Sequence, residues 1–139
     1  MEIKIQLDEG AKMPFKKRLT DAGYDLFATE DITIPGLKSA VIDTGVHIAI
    51  PDGYYGDIRS RSGLNINSSV LVGDGTIDSG YTGSIKVKLY NHAYLPYKVS
   101  KGDRICQLVF AKYKNYDFTE VETLEETDRG SNGFGSSGK

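Results

Sequence analysis

The sequence predicts an all-β fold, a sandwich or jelly-roll-like barrel, and three features of its 139 residues lead there. Apolar residues recur with a period of two almost throughout, the spacing that puts alternate side chains on one face of a strand. Turn-forming clusters interrupt these runs at short intervals, at Ile34-Pro35-Gly36, Pro51-Asp52-Gly53, Val72-Gly73-Asp74-Gly75 and Lys101-Gly102-Asp103. No stretch holds a helical period for more than a turn or two. Many short strands at such spacing close best as packed sheets or a barrel.

The elements follow in order. Ile3 to Leu7 alternates apolar and polar residues and reads as the first strand. Asp25, in Ala22-Gly23-Tyr24-Asp25-Leu26, reads on its own as a turn or capping aspartate. Ala40 to Ile50 reads as one strand, followed after a turn by the short strand Asp57-Ile58-Arg59. Arg61-Ser62-Gly63 then offers a guanidinium, a hydroxyl and a glycine that permits close approach, the donors a phosphate needs. The tripeptide is common, and a surface arginine accounts for it equally. Ser62 to Asn67 has room for a turn or two of helix.

Gly73 to Gly83 brackets Ile77-Asp78 and Tyr81 with glycines and reads as a hairpin whose backbone a ligand can approach. A carboxylate there could take a proton from an attacking water, with Tyr81 as an aromatic wall. An Asp-rich hairpin turn explains the same residues equally well. Ser84 to Tyr90 places Ile85, Val87 and Leu89 on one face and Lys86 and Lys88 on the other. Tyr94 to Val99 and Ile105 to Tyr113 complete the strands. Gln107, inside the last of these apolar runs, requires a partner for its amide.

Composition narrows the function classes. With 39% hydrophobic and 26% charged residues the chain reads as one ordinary globular domain. Seventeen basic against nineteen acidic residues leave no broad basic surface for duplex nucleic acid. No window approaches the roughly 20 apolar residues of a membrane helix, and the start lacks the pattern of a signal peptide. The lone Cys106 excludes an internal disulfide, reads as an inert buried thiol and fits a reducing cytoplasm. His47 and His92 stand apart from any ligand pattern and read as structural histidines. From Arg129 to Lys139 glycine and serine dominate, so residues 129–139 are expected to form a flexible tail on a domain spanning 1–128.

Read in order, five segments resemble the five motifs of the homotrimeric dUTP diphosphatases, or dUTPases. They are Ala22-Gly23-Tyr24-Asp25-Leu26, Arg61-Ser62-Gly63-Leu64, Gly75 to Gly83, Gly102-Asp103-Arg104-Ile105-Cys106-Gln107-Leu108 and Arg129 to Gly138. The resemblance implies a distorted jelly-roll, or β-clip-type, barrel forming a homotrimer whose three active sites each draw on all three chains. It implies hydrolysis of dUTP to dUMP and pyrophosphate with Mg²⁺ on the triphosphate, which keeps uracil out of DNA and supplies dUMP for dTMP synthesis. The base falls on Asp78. Arg61, Ser62, Gly63 and Gln107 would hold phosphates. Asp25 would lie near the water shell of the metal.

By the same resemblance Gly75, Thr76, Ile77 and Lys86 would read uracil and Tyr81 would pack under deoxyribose. Arg129, Phe134, Gly135, Ser136 and Ser137 would close over the base and the outer phosphates. The chain departs from the pattern at Tyr81-Thr82-Gly83-Ser84, where Tyr-Arg-Gly-Glu is common, and more mildly at Asn65, Asn132 and Ser137. A dCTP deaminase sharing the fold and a nucleotide-gated protein-binding module are the rival readings. The complete tail and the Asp78–Tyr81 arrangement speak against the first, and the lack of a large insertion against the second.

Overall fold

The computed structural model describes residues 1–135 and 138; the expected phosphate contacts Ser136 and Ser137 lie outside the described residues. Eleven strands and one short helix make an all-β jelly-roll-type body. In chain order these are β1 (Lys4–Leu7), β2 (Tyr24–Phe27), β3 (Ile32–Ile34), β4 (Ser39–Asp43), β5 (Val46–Ala49), β6 (Tyr54–Arg59), α1 (Ser62–Asn67), β7 (Val70–Val72), β8 (Gly75–Ile77), β9 (Lys86–Asn91), β10 (Tyr97–Val99) and β11 (Arg104–Lys112). All pairings are antiparallel, in sheets ordered β2-β11-β6-β8, β4-β9-β7, β1-β5 and β10-β3. No helix among the described residues is long and apolar enough to cross a membrane.

The period of two explains which side chains go inside. Along β9, Val87, Leu89 and Asn91 are buried while Lys86, Lys88 and Tyr90 face out. The inward faces meet in a core that includes Leu26, Ile42, Ile58, Ile85, Ile105 and Leu108. Burying each aliphatic side chain contributes roughly 1.5–3 kcal/mol, so this core outweighs any single polar tie at the surface. Asn91 is buried yet satisfied: its amide donates to the carbonyls of Ile34 and Leu95 at 3.1 and 2.9 Å and accepts from the Ala93 amide. Gly56 lets β6 and β11 pack closely, since a Cβ there would come within 2.8 Å of Leu108.

Three sequence expectations change. Ala40 to Ile50 is two strands, because Thr44 and Gly45 turn the chain and Gly45 takes a left-handed φ of 67° that glycine adopts without strain. Tyr94 to Val99 shortens to β10, with Tyr94 and Leu95 exposed ahead of Pro96. Gly73 to Gly83 is no hairpin: β8 pairs with β6 while the next strand, β9, pairs with β4 and β7. Beyond β11 the described chain to residue 135 has neither strand nor helix, and Tyr116, Phe118, Leu124 and Phe134 along it are exposed.

Candidate active site

The predicted site residues gather in two places on the chain. The first is a recess of about 300 Å³ that takes Asp25 from β2, Gln107 from β11, and Arg61, Ser62 and Gly63 from the start of α1. Asp25 is a strand residue rather than the turn or cap expected: Leu26 beside it points into the core, so alternation turns Asp25 the other way, toward α1. Arg61 Nε donates to Asp25 Oδ1 at 3.0 Å, and Arg104 Nε lies 3.7 Å from Oδ2. This pairing orients the guanidinium through Nε, leaving its two terminal nitrogens with no hydrogen-bond partner among the described residues. They are the pair of donors that suits a phosphate.

Gln107 faces both neighbours of β11, opposite Arg59 on β6 and Asp25 on β2. Its amide nitrogen donates to the Ser60 carbonyl at 3.1 Å. Gly23 makes room for it, since a Cβ there would come within 2.2 Å of Gln107 Oε1. The first-turn amides of a helix have no carbonyl partners within it, which leaves those of Ser62 and Gly63 for a ligand. A Cβ on Gly63 would meet nothing within 4 Å, so packing inside this chain does not require glycine there.

The second place is a cleft of about 550 Å³ lined by Thr76, Asp78 and Ser79 with Tyr55 and Tyr113. Asp78 follows β8 and is exposed; its carbonyl accepts from the Tyr81 amide at 3.0 Å, which forms the bend. Its carboxylate makes no hydrogen bond to a described residue. Gly75 packs on Ile58 and Ile77 is buried, so these two offer a ligand only their backbone. Strand β8 is the edge of its sheet, and an edge presents unpaired amides and carbonyls in alternation. That is a surface able to read a base through the main chain.

Other predicted residues stand apart from these. Tyr81 folds over its own loop, donating to the Ser84 carbonyl at 2.8 Å. Lys86 projects from β9 in a different sheet. Arg129 Nε donates to the Asn132 carbonyl at 2.6 Å, and Phe134 is exposed with a left-handed φ of 48°. Gly135 shares the left-handed region at 93°. The histidines differ: His92 stacks on Tyr90, whereas His47 ties Asp8 to the loop after Asp78. Cys106 is fully buried, and burial pushes its thiol up to about 12, as an inert cysteine requires.

Sequence reasoning missed Tyr55, Ser79 and Tyr113 beside Asp78, and Lys17 and Arg104 near the phosphate recess. Lys17 carried a readable signal, a basic run just ahead of Asp21. Arg104 lies inside a quoted motif, but only its pairing with Asp25 reveals its place.

Comparison with known proteins shows the family of the chain. A family model described as dUTPase matches residues 9–138. The deoxyuridine 5'-triphosphate nucleotidohydrolase of Mus musculus is 43% identical over 135 residues, covering 97% of this chain and 83% of that protein. Among solved structures, the Staphylococcus bacteriophage 80alpha dUTPase with dUpNHpp superposes with a TM-score of 0.94 at 31% identity, covering 99% of each chain. A mutant dUTPase from phage phi11 of S. aureus, described as coordinating a structural Mg(II) ion, gives 0.86 at 29% identity over 91% of this chain and all of that one.

Proposed function

The chain belongs to the dUTPase family, and we propose that it hydrolyses dUTP to dUMP and pyrophosphate with Asp78 as the base, at sites shared between subunits of a homotrimer. The observation that carries this is the division of the motif residues between two recesses of one chain. One holds the Arg61 and Lys17 cations, with its Asp25 carboxylate engaged by Arg61; the other holds the free carboxylate of Asp78 and no cation among its lining residues. Two or more copies, each lending one recess, complete a site. The exposed apolar residues beyond β11 support the same reading, since an extended segment with Phe118 and Leu124 in water gains by lying on a second copy.

In the proposed mechanism Asp78 takes a proton from a water as its oxygen attacks the α-phosphorus. The bond from that phosphorus to the oxygen bridging to the β-phosphate breaks, and pyrophosphate leaves. Such a reaction depends on positioning and on charge neutralisation more than on covalent chemistry. Arg61, braced by Asp25, keeps its terminal nitrogens for the phosphates; Ser62, Gly63 and Gln107 add donors, and Lys17 on the rim adds a cation. The edge of β8 at Gly75, Thr76 and Ile77 reads uracil, with Lys86 nearby across the assembly, and Tyr81 excludes ribose. Arg129, Phe134, Gly135, Ser136 and Ser137 close over the nucleotide.

The oxygen-rich recess suits a hard cation carried by the substrate. Asp25 already accepts from Arg61, so it reaches such an ion only through water. Mg²⁺, when bound to the triphosphate, supplies charge neutralisation for the departing pyrophosphate. We place the enzyme in the cytoplasm or wherever deoxynucleotides are made, where it lowers dUTP and supplies dUMP. The test is pyrophosphate release from dUTP, dTTP, dCTP and UTP in the presence of Mg²⁺. Release from dUTP alone is expected; equal release from dTTP or UTP would overturn the reading, and ammonia from dCTP would favour a deaminase.

A further inference from the structure

We propose that His47, in its protonated form, is a positioning residue for the nucleotide site: its ring ties the loop carrying Asp78 and Tyr81 to the end of β1, and deprotonation releases the tie. The inference rests on the dUTPase reading of that loop. His47 Nδ1 lies 2.9 Å from the Thr82 carbonyl oxygen, and Nε2 lies 3.0 and 3.1 Å from the two carboxylate oxygens of Asp8. A carbonyl can only accept a hydrogen bond, and an ionised carboxylate likewise. Both ring nitrogens must therefore donate, which only the imidazolium does. A neutral ring keeps one tie and turns a lone pair toward the other acceptor.

The tie matters because of what lies beside Thr82. The Tyr81 amide donates to the Asp78 carbonyl at 3.0 Å, and the Tyr81 hydroxyl to the Ser84 carbonyl at 2.8 Å. Gly83 lets the Tyr81 ring lie against the loop, since a Cβ there would come within 2.5 Å of the phenol oxygen. Residues 78–84 thus hold together as one unit. Its downstream end is pinned where the Ser84 hydroxyl donates to the Asp43 carboxylate and the Ile85 amide to the Val46 carbonyl. His47 pins it between these anchors and Tyr81. All three anchors come from the corner formed by β4 and β5, so the ring sets how far the Tyr81 wall can swing away from the nucleoside.

The surroundings of the ring favour its charge. The Thr82 carbonyl and then the Asp8 carboxylate raise the His47 pKa above the usual 6.5, with further help from the charges of Asp8 and Asp43, while partial burial opposes them. Lys4 of β1 lines the same recess as His47, and Lys86 of β9 acts on Asp43. With the folded value raised, the tie is complete below the ordinary histidine value and is lost as pH rises through the raised one. The alkaline limb should fall on KM, since the tie holds the loop at Thr82 beside the Tyr81 wall and touches no reacting atom.

The experiment measures kcat and KM for dUTP between about pH 6 and 9, spanning the histidine range, in the wild type, His47→Gln and Asp8→Asn. Nitrogen-15 spectra of the ring are recorded on the folded wild type alongside. We expect wild-type KM to rise about five- to tenfold as the ring titrates, the net worth of one ordinary hydrogen bond at a partly exposed site, with kcat nearly constant. His47→Gln should show the raised KM with no such limb, and Asp8→Asn should move the limb to lower pH. The spectra should report both nitrogens protonated at the acid end of the series and the loss of one proton over the pH range of the limb. Persistence of the limb in His47→Gln, or a ring that titrates apart from the limb, would overturn the proposal alone. Failure of the wild type to hydrolyse dUTP at any pH would overturn the dUTPase reading and take the proposal with it.

Discussion

The phosphate recess and the bend at Asp78 are built on opposite terms. In the recess the central groups are braced within the chain: Arg61 by Asp25, Asp25 by Arg104 as well, and Gln107 by Ser60, with Gly23 cleared to admit it. At the bend the Asp78 carboxylate, the proposed base, stands exposed and without a hydrogen bond to any described residue, near a Gly80 whose missing Cβ would meet nothing within 4 Å. A group that must hold its place against a triphosphate is fixed before the ligand arrives. A group that must take a proton is left for the ligand and a second surface to finish.

Variants that separate activity from stability test this contrast most strongly. Asp78→Asn removes the base but no internal contact, so turnover should fall by about 10²–10⁴, the usual worth of a general base. Its melting temperature should not move, and calorimetry should still detect dUTP binding. Arg61→Ala should lose activity on a similar scale and also destabilise the fold by about 1–3 kcal/mol, because Asp25, only 19% exposed, loses its main partner. Equal melting temperatures for the two variants would break the comparison. Co-expressing the two tests the sharing of sites: mixed oligomers can join an intact Arg61 from one chain to an intact Asp78 from another. Activity should return in the mixture, and a mixture as inactive as its parents would place each whole site within one chain.

A smaller effect is expected from the exposed tail. Phe134→Ala should raise KM by the worth of one base stack, about 1–3 kcal/mol. The fold should keep its full thermal stability, since in the free chain this ring touches solvent rather than the core. Unchanged kinetics would mean that the ring never reaches the base.

The contrast also marks how far the sequence could be read. Strands with a long apolar pattern were legible: β9 announces itself because Val87 and Leu89 alternate with Lys86 and Lys88, and β11 because its nearly continuous apolar run buries Ile105, Cys106 and Leu108. The helix over Ser62–Asn67 was placed to the residue. The three-residue strands β3, β7, β8 and β10 carry too short a pattern to bound. The hairpin reading of Gly73 to Gly83 failed for a related reason. Local glycines signal a turn, but the partner of β8 is β6, which lies before α1, and no local pattern encodes that register. Asp25 and Arg61, 36 residues apart, and His47 and Thr82, 35 apart, meet only through the closed sheets. Asp78 was nameable from its motif; that no arginine or lysine among the described residues lines its cleft was not.

The smallest effect should come from the loop that follows the bend, and it sharpens the contrast by showing where that half of the site is braced. Burial pushes the Asp43 carboxyl up, but the Ser84 hydroxyl and the Gly45 amide outweigh it, helped by Lys86 and His47, so the net pKa lies below the usual 3.8. A lowered folded value means that the stabilisation is present above the ordinary aspartate pKa and is lost as pH falls through the lowered one. Ser84→Ala removes the strongest of these supports. Because the pair is partly open to solvent, the cost near neutral pH should be about 0.5 kcal/mol, the low end for such a bond. The difference in melting temperature from wild type should therefore be small at pH 7 and close up in strong acid, where the carboxyl is protonated in both proteins. A gap that stays constant down to that acid limit would show that Ser84 acts by packing, and the loop would then owe its placement to the backbone bonds of Thr44 and Ile85 rather than to Asp43.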